Sequence, residues 1–146
     1  MDNNIDILDR IIIGRVEPHI YAFTTNTVPN YLKVGDTYRP VSKRLKEWKE
    51  FFPELQKQYE NKAIIDEDTY FRDYSIHQYL ESDLEKRRLI PTDLPEGDYY
   101  SKEFFKDTET VDIDSAIEDI KNNYIENTGK YEYYSSNNRL PQVYHY

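Results

Sequence analysis

The chain has 146 residues, a formal net charge of −9, 15 tyrosines, four glycines and no cysteine. A single domain of this length can bury about two-thirds of its unfolded surface, and the missing cysteines exclude disulfides, zinc fingers and thiol nucleophiles. The longest apolar run, Ile11-Ile12-Ile13, is too short for a signal peptide or a membrane span, so a soluble, cytoplasmic protein is the expectation.

In chain order, a short apolar stretch over residues 5–13 is followed by Glu17-Pro18 and reads equally as a helix or an arm. His19-Ile20-Tyr21-Ala22-Phe23-Thr24 then reads as a strand, and Tyr31-Leu32-Lys33-Val34-Gly35 as a second one. The intervening Thr-Asn-Thr-Val-Pro-Asn is rich in turn formers, which predicts an antiparallel hairpin. Strand alternation puts Ile20 and Ala22 on one face beside Leu32 and Val34, and leaves Tyr21 and Lys33 on faces open to polar chemistry. Pro40 suits the first turn of a helix. Val41, Leu45, Trp48 and Phe52 follow as an amphipathic stripe, with Arg44 on its edge and Lys46, Lys49 and Glu50 outward. Pro53 ends this helix, and residues 56–65 supply a third strand. The acidic run Asp66-Glu67-Asp68 is suited to a helix start, so a helix over residues 69–81 would carry Asp73 and His77 one turn apart. A loop with Pro91, Pro95 and Gly97 leads to the aromatic segment 99–105. The last helix runs from about Asp112 to Gly129 with Ile113, Ile117, Ile120 and Tyr124 as its stripe, and a polar, tyrosine-rich tail completes a single α+β domain over residues 1–146.

Overall acidity argues against a nucleic-acid binder, because a polyanion is repelled. The charges are unevenly spread, however. Between residues 19 and 52, Lys33, Arg39, Lys43, Arg44, Lys46 and Lys49 face Asp36, Glu47 and Glu50, a local excess of three positive charges, while the remainder carries −12. Such a patch can hold phosphate, with weak non-specific affinity that calls for help from another chain or domain. No glycine-rich phosphate loop and no G-x-S-x-G elbow is present, and the three isolated histidines argue against a multi-histidine metal site.

Taken in order, the motifs resemble those of the GIY-YIG endonuclease superfamily. His19-Ile20-Tyr21 stands where that family has G-I-Y, and Lys33-Val34-Gly35 where it has Y-I-G. Arg44 follows in the next helix, and Phe71-Arg72-Asp73-Tyr74-Ser75-Ile76-His77 matches the segment that bears the family's metal-binding acid. The pattern is most similar to a phage-associated K-I-G branch, whose E-W-F-like triplet would be Glu103-Phe104-Phe105. The resemblance spans residues 19–105, leaving 106–146 as a C-terminal helix and tail. It implies a small three-stranded antiparallel sheet flanked by helices, with an extra C-terminal helix. Three positions depart from the pattern: His19 replaces a glycine, Lys33 a tyrosine, and Asp73 a glutamate one methylene longer.

The resemblance implies a metal-dependent DNA endonuclease of a restriction or defence system. Hydrolysing a phosphodiester needs an activated water, charge stabilisation on the phosphate and relief for the leaving oxygen. Tyr21 would orient or deprotonate the water, although a free phenol, with a pKa of about 10, needs a nearby cation for that role. Arg44, with Lys33, would grip phosphate oxygens, and Asp73 would hold Mg²⁺ or Mn²⁺. His77 would orient that carboxylate or a bound water. Thr37 and Arg39 would add phosphate contacts, and Glu103 would support the turn before Phe104. Chains with this kind of start also look like the front of larger proteins with a DEAD/DEAH-box helicase part. Each residue has a plainer role: Tyr21 as a strand tyrosine, Lys33 as a solvated strand residue, Arg44 paired with Glu47, Thr37 and Arg39 capping a helix, Asp73 and His77 in a surface hydrogen bond. The corresponding alternative function is a catalytically silent module that binds nucleic acid or a partner protein.

Overall fold

The structure, a computed structural model, describes residues 17–90 and 103–135. The apolar stretch 5–13, the loop and aromatic segment from 91 to 102 and the tail beyond 135 lie outside the described residues. The ordered elements are β1 (His19–Thr24), β2 (Tyr31–Thr37), α1 (Val41–Trp48), β3 (Gln56–Lys62), β4 (Thr69–Tyr70), α2 (Asp73–Gln78), β5 (Phe104–Lys106), α3 (Thr110–Ile125) and β6 (Tyr134–Ser135). The fold is α+β.

The expected three-stranded sheet has four strands, in the order β3-β1-β2-β5, with every pair antiparallel. The addition is β5, which pairs Phe104 with Lys33, Phe105 with Leu32 and Lys106 with Tyr31. Sequence periodicity could not reveal it, because a three-residue strand has too few positions to show alternation. β1 is buried on both sides from Ile20 to Phe23, as a central strand requires, whereas β3 is exposed along almost its whole length. Its Gln, Lys, Glu and Asn side chains protect that open edge from pairing with another chain.

Alternation along β1 and β2 divides the core in two. Ile20, Ala22, Leu32 and Val34 point to one face and join Phe105, Phe71, Ile76 and Leu80 with Ile113, Ala116, Ile117 and Ile120 of α3. Tyr21 and Phe23 point to the other face and pack with Phe104 beneath Val41, Leu45 and Trp48 of α1. Burying a side chain of this size stabilises the fold by about 1.5–3 kcal/mol. Thus α1 covers one face of the sheet, and α2 and α3 cover the other.

All three helices differ from expectation in extent: α1 ends at Trp48 before reaching Pro53, and α3 spans Thr110–Ile125. The helix predicted over residues 69–81 begins only at Asp73, because Thr69 and Tyr70 pair with Ser135 and Tyr134 in a two-stranded ribbon. Asp36 fixes the start by accepting the Asp73 backbone N–H at 2.9 Å. One π-helical turn, Tyr79–Asp83, continues it. α3 opens on a capping box in which the Glu109 and Asp112 side chains each accept the other's backbone N–H. Its stripe is Ile113, Ala116, Ile117 and Ile120, with Tyr124 half-exposed at the end. Among the described residues no helix is long and apolar enough to cross a membrane.

Candidate functional site

The site is organised by Gly35. It faces Tyr21 across the β1–β2 ladder, and Lys33 stands two residues earlier on the same face. A Cβ at position 35 would lie 2.7 Å from Tyr21 Oη, 2.9 Å from its Cζ and 3.0 Å from Lys33 Nζ. Glycine is needed there because the phenol and the ammonium both cross directly over its Cα.

Contrary to the open polar face expected for them, Tyr21 and Lys33 are 1% and 0% exposed. Trp48 accounts for much of this. Its Nε1–H donates to Tyr21 Oη at 2.7 Å, and its ring lies 4.3 Å below Lys33 Nζ. Such a cation–π contact is strengthened when both groups are desolvated. The Arg44 guanidinium sits 4.8 Å from the same indole ring and donates to Glu47 at 2.9 Å. Burial opposes the Arg44 charge, but the Tyr21 oxygen and Glu47 outweigh it and hold the guanidinium above its usual pKa. Trp48 is therefore a shared platform for three candidate residues. Its sequence position in the apolar stripe of α1 signalled only core packing.

Lys33 is ion-paired with Glu103, the residue just before β5. Burial pushes the Glu103 carboxyl up, but Lys33 outweighs it, with smaller help from His77 and Arg44, and the carboxyl is held below its usual range. The expected role of Glu103 in supporting the turn is thus joined by a direct bond to a buried cation.

Asp73 and His77 approach from the opposite face of the sheet. The sequence pattern expects phenol, cations and acid around one phosphate; α2, which carries Asp73, instead packs on the face of the sheet opposite α1 and Arg44. Asp36 anchors this side. Its Oδ2 accepts Arg72 Nε at 2.7 Å as well as the Asp73 N–H. Asp73 is 3% exposed, and burial, then the charges of Asp36 and Glu103, push its carboxyl up to about 8 despite Arg72 and Lys33. His77 Nε2 lies 2.8 Å from the Val34 carbonyl oxygen, to which a neutral imidazole protonated at that nitrogen donates. Burial holds the imidazole down to about 4. It lies 3.9 Å from Asp73 Oδ2. The Asp73–His77 pair is buried, unlike the surface hydrogen bond that its spacing alone would suggest.

The Asp73 Oδ1 atom is one of two buried side-chain polar atoms without a hydrogen-bond partner among the described residues, the other being His19 Nδ1. An orphaned carboxylate oxygen is costly unless a proton or cation meets it. Among the described residues no three His, Asp or Glu side chains are grouped to hold a metal. An ion at this position would have Asp73 as its one carboxylate, as Mg²⁺ can when water and phosphate oxygens complete its shell.

Thr37 and Arg39 serve the loop before α1. Thr37 Oγ1 accepts the Arg39 N–H at 3.0 Å, and the Arg39 guanidinium donates twice to Glu47 at 2.7 Å. Neither side chain caps α1. An open cleft of about 390 Å³, lined by Tyr74, His77, Glu81, Arg88 and Glu103 among others, leads from solvent to the Glu103 carboxylate. Asp36, Glu47 and Trp48 are the supporting residues that the motif pattern passed over; the acid directly after Gly35 was the one available signal.

Comparison with protein-family models, with curated proteins and with solved structures gave no significant match.

Proposed function

We propose that the chain is a metal-dependent DNA endonuclease of the GIY-YIG type. The observation that supports this reading is the meeting of a phenol and an ammonium over Gly35, with the Arg44 guanidinium on the same Trp48 ring as that ammonium; the orphaned Asp73 oxygen lies on the other side of the sheet. Phosphodiester hydrolysis uses these groups together.

In this reading Tyr21 orients the attacking water, its oxygen fixed by the Trp48 N–H. Arg44 offers a planar fork to the non-bridging phosphate oxygens, and Lys33 supplies a second positive charge. Asp73 would hold the divalent ion, and neutral His77, whose Nε2–H goes to the Val34 carbonyl, packs 3.9 Å from that carboxylate. The ion, Mg²⁺ or Mn²⁺, supplies Lewis acidity toward the phosphate and the leaving oxygen. Thr37 and Arg39 act indirectly by fixing Glu47, the partner of Arg44. DNA is the expected substrate, and a helicase or ATPase domain in a longer protein is the partner that would supply the affinity this acidic chain lacks.

Incubation of the purified chain with Mg²⁺ or Mn²⁺ and plasmid, linear or single-stranded DNA tests the reading. Cleavage that Arg44→Ala and Asp73→Ala abolish, with the circular dichroism spectrum retained, supports it. DNA left intact under all these conditions rejects it. The full burial of Tyr21 and Lys33 favours a second reading, a catalytically silent module that binds nucleic acid or protein. That module would bind DNA in a salt-sensitive way with no metal requirement and no product.

A further inference from the structure

We propose that Glu103 is an internal occupant of the phosphate position, so that the fold as described is a self-blocked form of the site; this rests on the hydrolytic reading above. Lys33 has no exposed surface, and the anion paired with it is the Glu103 carboxylate. That side chain is 33% exposed and lines the cleft, so it presents to solvent the anion that the buried ammonium holds. The same carboxylate lies within electrostatic reach of Arg44, His77 and Asp73. It therefore carries, against the Lys33 ammonium, the charge that a phosphodiester oxygen would bring there.

The chemistry makes the exchange feasible. A buried ammonium requires an anionic partner at all times. A carboxylate and a phosphate oxygen are interchangeable in that role, so substrate can replace Glu103 without leaving Lys33 bare. The backbone is suited to it as well. Phe104 is locked by its pairing with Lys33, whereas Glu103 precedes the strand and is outside the ladder. Its side chain can swing into the cleft while β5 stays in place. The consequence is selectivity: a weakly held anion does not displace Glu103, and a substrate that also engages Arg44 and the metal does.

The test needs neither metal nor DNA. The metal-free chain is titrated with inorganic phosphate, following heat release and thermal midpoint, against chloride at matched ionic strength. Glu103→Gln should bind phosphate about tenfold tighter than the wild type, the equivalent of ~1.4 kcal/mol, and its midpoint should rise with phosphate and not with chloride. Glu103→Asp keeps the charge and shortens the reach, so it should fall between the two and stands as the test if the glutamine variant does not fold. Adding Lys33→Met to Glu103→Gln should remove the response. The proposal is overturned if both position-103 variants bind phosphate no better than wild type, or if the double variant binds it equally well. Intact DNA with wild type alongside a phosphate gain in Glu103→Gln would sink the nuclease reading and leave the blocked anion site standing. Cleavage that depends on Arg44 without any such gain would do the reverse.

Discussion

Tyr21 passes over Gly35 so closely that a methyl group on that glycine would sit 2.7 Å from the phenol oxygen. The ring cannot simply step aside, because Trp48 Nε1 donates to the same oxygen at 2.7 Å and Phe23 and Phe104 fill the neighbouring space. The glycine of the second motif is thus explained by the tyrosine of the first. Gly35→Ala should cost about 1–3 kcal/mol, the usual penalty for overpacking a filled core, and should displace Tyr21. Denaturant unfolding measures the first effect and the fluorescence of Trp48, the one tryptophan and the hydrogen-bond partner of Tyr21, the second; an alanine variant of wild-type stability would mean that the ring is free to move.

Trp48→Phe separates structure from chemistry. Phenylalanine retains most of the packing against Phe23 and Phe52 but removes the donor to Tyr21. Leaving a buried hydroxyl oxygen without that donor should cost about 1–3 kcal/mol, and under the proposed hydrolytic reading any cleavage should fall with it. Tyr21→Phe should restore much of the stability of the Trp48→Phe background and none of the activity. Non-additivity of the two stability changes in a double-mutant cycle is the expected readout.

Asp73 and His77 make opposing contributions to the pH dependence of stability. An acid raised to about 8 in the folded state favours folding fully below its unfolded pKa, and the contribution is lost as pH rises through the folded value. A histidine lowered to about 4 works in the other direction, weakening the fold as pH falls from its ordinary value toward 4. The two slopes offset one another between about pH 4 and 6.5, and from about 6.5 to 8 the aspartate acts alone. Metal-free protein should therefore lose stability across that upper window. Asp73→Asn, the uncharged mimic, should remove the loss and gain up to a few kcal/mol at pH 8, an order-of-magnitude figure from about 1.4 kcal/mol per unit. Urea titrations at pH 5, 7 and 8 decide it; an unchanged slope in the asparagine variant would show that Asp73 ionises normally.

Divalent ion should act on the same carboxylate. If Asp73 holds Mg²⁺ or Mn²⁺, the ion displaces a proton on binding near neutral pH, so thermal stabilisation should grow from pH 6 to pH 8 and be reversed by chelator. Calorimetry in two buffers of different ionisation enthalpy reads the released proton directly. Asp73→Asn should show neither stabilisation nor release, while Glu81→Gln, on the cleft rim, should retain both.

The periodic part of the fold was legible from the residues. Val41, Leu45 and Trp48 face the core at helical spacing, Ile20, Ala22, Leu32 and Val34 share a face at strand spacing, and Ile113, Ile117 and Ile120 line α3. These follow from local geometry, because the side-chain period of an element is set by its backbone. Elements too short to show a period were not legible: β5 was hidden in an aromatic run, and Thr69-Tyr70 looked like the start of a helix although partners 64 and 66 residues away hold it extended.

The sequence by itself determined which residues are candidates, since Tyr21, Lys33, Gly35, Arg44, Asp73 and Glu103 follow one another in a recognisable order. Only the tertiary structure decided their surroundings. It buried Lys33 and paired it with Glu103, gave the Tyr21 oxygen to Trp48, and set the helix of Asp73 on the face of the sheet opposite Arg44. The physical reason is that burial and charge pairing are relations between segments distant along the chain, and no local pattern encodes how much water will be left around a given side chain.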